Sequence, residues 1–286
     1  MADIQNVGVV GSGLMGSGIA EVCARAGLDV VVREVHAGAA EAGLARLTSS
    51  LDRAVRSGKI DQTARDVAMG HIRFTTDLAD MADRDIVIEA AVEDETLKAQ
   101  IFRDLDSVLV NPNAIIASNT SSIPITRLGA VTGRPENVVG MHFFNPVPVL
   151  RLCEVVSGVR TSTDTIDRVS SFATDRLGKK VVVSKDQAGF IVNALLVPYL
   201  LAAMRMHASG FATAEDIDTG MIEGCAHPMG PLRLSDMIGL DTMLFVANSL
   251  YAEFKEPLYA APPSLLRMVE AGQLGRKSGQ GFHTYG

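Results

Sequence analysis

The chain has 286 residues, of which 26 are Lys or Arg and 33 are Asp or Glu, giving a formal net charge of −7. At roughly 100–200 residues per domain, that length points to two domains or one large one. With 47% hydrophobic and 21% charged residues the composition is ordinary for a globular protein, which excludes disorder. An acidic chain without basic runs also argues against nucleic acid or an anionic membrane as partner.

The start, MADIQNVGVV, runs almost directly into a strand pattern, with neither a basic start nor a long apolar stretch, so no signal peptide is expected. In chain order the candidate strands of the first half are Val7–Val10, Val30–Val32, Ile86–Glu89, Ala114–Ala117 and Val138–Phe144. Helical spacing fills Ser17–Ala26, Ala39–Ser57 and Glu95–Leu109 between them. Alternation of strand and helix implies right-handed crossovers and a mostly parallel sheet. Leu150–Val156 and Lys180–Ser184 read as two further strands. After Asp186 helical patterns take over, over Phe190–Ser209, Thr213–Glu223 and Leu232–Phe254, punctuated by Gly210, Gly224 and Pro231. The expected organisation is a doubly wound α/β domain over 1–186 and an all-helical domain over 187–286.

The most apolar stretch, Ala188 to Met204, contains Asn193 and Pro198 and stops at Arg205. It is shorter than the ~20 apolar residues a membrane span needs, so it reads as a buried helix. Its apolar character all round requires burial within the chain or across subunits. Cys23, Cys153 and Cys225 lie far apart and form no Cys-x-x-Cys pair. Neither a metal site nor a disulfide framework is expected, and reduced cytosolic thiols are.

Four features carry chemistry. Gly11-Ser12-Gly13-Leu14-Met15-Gly16 follows an apolar strand and opens a helix, the context a dinucleotide-binding fingerprint requires. Gly11 allows the tight turn, Gly13 the approach of a pyrophosphate, and Gly16 close helix–strand packing. The next strand ends in Glu34, eighteen residues after Gly16, about where an acid binds the ribose hydroxyls. His142 sits near the end of a candidate strand, where open α/β sheets place their ligands. Period two puts Glu154 on an apolar strand face with Leu150, Leu152 and Val156, where a carboxylate needs a partner; His142 on the preceding strand is a sensible one. An exposed edge strand or an arginine salt bridge is the alternative. The run Ser118-Asn119-Thr120-Ser121-Ser122 also lies at a strand end, and its hydroxyls can bind a ligand oxygen or cap the next turn. Asn193 interrupts an apolar helix, as a helix–helix hydrogen bond or a ligand contact.

The segments GSGLMGSGIA, SNTSS, HFFNPVPVLRLCEVV, KDQAGFIVNALLVPYL, HPMGPLRLSDMIGLD and GRKSGQGFHTYG resemble the 3-hydroxyacyl-CoA dehydrogenases, most of all the short bacterial 3-hydroxybutyryl-CoA dehydrogenases. The resemblance covers essentially the whole chain. It implies an NAD-dependent oxidoreductase interconverting short (S)-3-hydroxyacyl-CoA and 3-ketoacyl-CoA, with His142 as catalytic base and Glu154 as its partner. It also implies that Ser121 and Asn193 hold the substrate, with the adjacent Ser122 placed to share the role of Ser121. Gly11, Gly13, Leu14, Met15, Gly16, Glu34, Glu93, Lys98 and Asn145 would lie on the cofactor side, and Ser50 would touch the CoA moiety. The family's lysine after that serine falls near Ser57, flanked by Arg56 and Lys59, and its usual Asp is Glu34 here. A homodimer through the helical domain is implied as well. Two other readings exist. A related dehydrogenase branch uses a helical lysine as acid/base group, but the polar residue at that place is Asn193. A dinucleotide-binding protein without catalysis is the other, and the joint presence of Ser121, His142, Glu154 and Asn193 favours the enzyme.

Overall fold

Runs of Val and Ile build the first strands, as suits strands buried on both faces of a sheet. The computed structural model describes residues 4–286, so the first three residues of the N-terminal stretch read for targeting signals lie outside the described residues. Two units result, one ending at Asp186 and the other spanning Gln187–Gly286.

The first unit alternates β1 (Asn6–Val10), α1 (Leu14–Arg25), β2 (Asp29–Arg33), α2 (Ala37–Arg56), α3 (Gln62–Gly70), β3 (Ile72–Thr75), β4 (Ile86–Glu89), α4 (Glu95–Val108), β5 (Ile115–Ser118), α5 (Ile125–Ala130), β6 (Val138–Phe143), β7 (Leu152–Ser157), α6 (Thr163–Ser171) and β8 (Lys180–Lys185). The sheet order is β3-β2-β1-β4-β5-β6-β7-β8. β6 and β7 pair antiparallel and the other neighbours are parallel. Chain order reverses between β1 and β4, which opens the crevice where such sheets bind ligands. This is the Rossmann-type doubly wound sheet expected. Its core includes Val7, Val9, Ile19, Leu47, Ile88, Ile115, Val139 and Val155.

The second unit is helical: α7 (Val192–Ala208), α8 (Ala214–Cys225), α9 (Pro231–Ile238), α10 (Leu240–Phe254) and α11 (Pro263–Glu270). Its own core gathers Leu200, Leu201, Met204, Leu232, Leu240, Met243 and Leu250.

Several boundaries differ from the sequence expectation. The single helix Leu232–Phe254 is two helices, because Gly239 adopts φ 102°, outside helical geometry. The four-residue edge strand β3 and the short helices α3, α5, α6 and α11 are too brief to announce themselves by periodicity. The stretch Ala188–Met204 is helical only from Val192; within the chain Val197, Leu200 and Leu201 are buried while Leu195 is 72% exposed. No helix among the described residues is long and apolar enough to cross a membrane.

Candidate active site

The fingerprint turn is shaped by its glycines. Gly11 has φ +92°, and a Cβ at Gly16 would lie 1.9 Å from the Gly11 carbonyl oxygen, so neither position accepts a side chain. A Cβ at Gly13 would meet nothing within 4 Å, so open space lies before the N-terminus of α1. That helix has no side-chain cap and no acid in its first turn. Its first N–H groups and partial positive charge therefore suit a pyrophosphate. Leu14 beside them is 66% exposed, and Met15 is half-buried. Glu34, just past β2, accepts hydrogen bonds at Oε1 from Ser12 N at 2.5 Å and Ser12 Oγ at 2.8 Å. Arg46 on α2 donates through Nε and Nη2 to the Ser12 carbonyl. Gly43 permits this approach, since a Cβ there would fall 1.9 Å from Ser12 Oγ.

β6 carries His142 next to its carboxyl end, on the same side of the parallel sheet as the fingerprint turn. Antiparallel pairing sets His142 directly opposite Glu154. His142 Nδ1 and Glu154 Oε2 are 2.6 Å apart, and Glu154 is fully buried. A carboxylate in a dry sheet face costs several kcal/mol unless paired, and the imidazole answers that need. The ring also packs against Phe144, with centroids 4.5 Å apart.

Between fingerprint and histidine lies a buried polar cluster. Glu89 ends β4, fully buried; its Oε1 accepts from Lys98 Nζ at 2.6 Å and Ala91 N at 2.7 Å, and its Oε2 from Ser118 Oγ at 2.6 Å. Lys98 is 1% exposed and also pairs with Glu93 Oε2 at 3.1 Å. Glu93 Oε1 in turn accepts from Thr120 Oγ1, Ser121 N and Ser122 Oγ. Thr120 Oγ1 accepts from the N–H groups of Ser122 and Ile123. In the run Ser118–Ser122 most hydroxyls thus serve the loop itself, while that of Ser121 has no hydrogen-bond partner among the described residues. Asn119 Oδ1 accepts from Phe143 N, tying the loop to β6 beside His142.

The other expected site residues are more dispersed. Asn145 is exposed just beyond β6. Ser50 is half-buried on α2, and Arg56 and Lys59 are exposed around its C-terminal end. Asn193 belongs to the second unit, in the first turn of α7. Three residues of the region, Glu89, Arg46 and Lys179, escaped the sequence reading, as did the contact Asn119 makes with Phe143 N. Lys179 Nζ donates to the carbonyls of Val147 and Leu150, fixing the connection after Asn145, and burial pulls its ammonium below the usual lysine range. Glu89 closes the apolar run Ile86–Ile88 in a strand buried on both faces, so no alternation singles it out.

Comparison with known proteins adds independent findings. Residues 6–187 match the family model "3-hydroxyacyl-CoA dehydrogenase, NAD binding domain", and residues 189–285 match that family's C-terminal domain. The chain is 57% identical over 282 residues to a 3-hydroxybutyryl-CoA dehydrogenase of Mycobacterium tuberculosis, covering 99% of both. It is 45% identical to one from Bradyrhizobium diazoefficiens, covering 99% of this chain and 96% of the relative. Among solved structures it is similar to (S)-3-hydroxybutyryl-CoA dehydrogenase PaaH1 from Ralstonia eutropha, with TM-score 0.94, 45% identity, and coverage of 99% of this chain and 100% of that one.

Proposed function

The chain belongs to the 3-hydroxyacyl-CoA dehydrogenase family, and from that premise we propose that it interconverts (S)-3-hydroxybutyryl-CoA and acetoacetyl-CoA. The cofactor is NAD, and the open space at Gly13 with the uncapped start of α1 fits its pyrophosphate. Bound NAD supplies the acceptor for the hydride leaving the 3-carbon of the alcohol. The observation that carries the reading is the 2.6 Å contact of His142 with Glu154 at the carboxyl end of β6.

A secondary alcohol releases hydride only as its hydroxyl proton departs. With Nδ1 donating to Glu154, a neutral His142 keeps its lone pair on Nε2, the nitrogen that takes that proton. Glu154 fixes this tautomer and offsets the charge of the imidazolium that forms, the role of the acid in a serine-protease triad. In the reductive direction the imidazolium returns its proton to the ketone oxygen. Ser121, whose hydroxyl the loop leaves unengaged, and Asn193 hold the substrate oxygens in attack geometry. Glu34 receives the adenosine ribose hydroxyls, and Glu93, Lys98 and Asn145 form the cofactor side. Ser50 contacts the CoA moiety.

The same reading makes the chain a homodimer through its helical unit. Supporting this, Leu195 is exposed on α7 and borders an apolar groove of about 600 Å³ lined with Leu196, Tyr199, Met229 and Met237. Three free thiols fit a reducing cytoplasm. The test is steady-state kinetics with NADH over 3-ketoacyl-CoA chain lengths. Turnover greatest at the four-carbon acyl chain is expected, and no turnover on acetoacetyl-CoA would sink the assignment.

A further inference from the structure

Glu89 is fully buried and has no part in the chemistry above, yet it joins the segments that do. At one end, the residues following it abut the fingerprint: a Cβ on Gly11 would come within 2.8 Å of the Ala90 carbonyl oxygen, and Ala90 N bonds to Val10 O. At the other, Glu89 Oε2 holds Ser118 Oγ, and the next residue, Asn119, bonds to Phe143 N beside His142. Between them a single ammonium, Lys98, is shared by Glu89 and Glu93, and Glu93 grips Thr120, Ser121 and Ser122. Both carboxylates thus bridge the loop after β4 and the loop after β5.

We propose that Glu89 is a positioning residue that couples cofactor binding at the fingerprint turn to the placement of the Ser118–Ser122 loop, so that dinucleotide and acyl-CoA each tighten the other's binding. The proposal rests on the functional reading above for the identity of the two ligands. The physical reason is that Lys98 divides its charge between two carboxylates. Movement of the loop after β4 on cofactor binding displaces Glu89 or Lys98, and the displaced ammonium carries Glu93 and the backbone N–H of Ser121 with it. Buried ionic contacts of this kind are costly when half satisfied, so the cluster shifts as a unit. Coupling between sites is reciprocal and typically ~5–150-fold.

The experiment measures the Kd of NAD⁺ with and without saturating acetoacetyl-CoA, two oxidised ligands that cannot react with each other. The wild-type protein should bind NAD⁺ at least ~5-fold more tightly with acetoacetyl-CoA present. In Glu89→Gln that ratio should fall to within about twofold, and kcat/KM for acetoacetyl-CoA should fall roughly 10–100-fold, since loop misplacement of the order of an ångström costs about that much. A purely structural role would change Tm and leave the Kd ratio alone. Should Glu89→Gln not fold, Ser118→Ala removes the bond from Ser118 Oγ to Glu89, together with the one Oγ accepts from Thr120 N, and should still lower the ratio at least twofold. A folded Glu89→Gln or Ser118→Ala with the wild-type ratio overturns the proposal. Wild-type turnover without any coupling overturns it too, leaving the functional reading standing; absence of wild-type turnover sinks that reading instead.

Discussion

Each unit of the molecule buries a histidine against a carboxylate, and the two pairs sit in different surroundings. In the sheet unit His142 Nδ1 lies 2.6 Å from Glu154, which strand register places opposite it. In the helical unit His283 Nε2 lies 2.8 Å from Asp218, and its Nδ1 lies 3.7 Å from Glu215. Asp218 is already committed, accepting from the N–H groups of Leu232 and Arg233 at the start of α9. Asp236 continues the clasp through Phe282 N, His283 N and Tyr285 Oη. Burial and Asp236 together push the Tyr285 phenol up to about 12. Both ring nitrogens of His283 face acids, and its network closes on the chain's own tail. A buried His–carboxylate pair is therefore no signature of catalysis; its position at the ligand end of a strand is what distinguishes His142.

The sharpest way to break this contrast is to remove each histidine. His142→Ala should lower kcat about 10²–10⁴-fold, the usual worth of general acid–base catalysis, with NADH affinity near wild type, and Tm should fall as well because buried Glu154 loses its partner. A variant keeping more than a tenth of the rate would end the assignment. The thiols of the two units should differ almost as widely. Burial raises Cys23 and Cys153 of the sheet unit to about 12 from an ordinary 9.0, leaving roughly a thousandfold less thiolate at neutral pH. Cys225 of the helical unit is exposed, so a disulfide reagent should titrate one thiol per native chain and three after denaturation. Two fast thiols in the native protein would contradict the burial.

Glu154→Gln keeps the shape and loses the charge. A hydrogen bond to a charged group is worth roughly 1.5–3 kcal/mol, so kcat should fall about 10- to 150-fold with KM for acetoacetyl-CoA little changed. A rate equal to wild type would make Glu154 structural only. His283→Phe should do the reverse. Leaving Asp218 without that donor should cost roughly 1–3 kcal/mol of stability, read as a lower Tm, while kcat of the folded enzyme stays within about threefold. A large loss of kcat without a Tm change would erase the distinction between the pairs.

The sheet was legible because its signals are local: Val-rich strands, a glycine turn between strand and helix, and an acid at the end of the next strand. The His142–Glu154 contact was legible too, because a carboxylate within an apolar alternating strand demands a partner. Glu89 needed the same argument but lies in a strand buried on both faces, where no alternation marks the acid as misplaced. The contacts of Arg46, Asn119 and Lys179 were out of reach for a different reason. Each residue serves a backbone carbonyl or N–H brought near by tertiary packing, and nothing in the spacing of the sequence foretells such a contact. The division of Leu232–Phe254 was also hidden, since Gly239 interrupts an otherwise continuous helical pattern and only its positive φ reveals the break.

The smallest expected effect concerns cofactor choice, where sequence and structure point to different arginines. Arg33 adjoins Glu34 in sequence, and a guanidinium there would suit the 2′-phosphate of NADPH. Yet Arg33 ends β2 with its Nε buried and without a protein partner. The guanidinium that shares Ser12 with Glu34 belongs to Arg46, which donates to the Ser12 carbonyl at 3.0 and 3.1 Å. On the proposed reading, Glu34 is the charge a 2′-phosphate would have to approach, with Arg46 as the nearby cation. Wild type should favour NADH over NADPH in kcat/KM. Glu34→Ala should weaken NADH use and narrow the ratio several-fold, because removing the acid deletes a ribose acceptor and leaves Arg46 unopposed. Adding Arg46→Met should withdraw the gain with NADPH without restoring NADH. If Glu34→Ala leaves the ratio untouched, the acid does not select the cofactor; if Arg46→Met has no effect on the double variant, Arg33 or another group receives the phosphate.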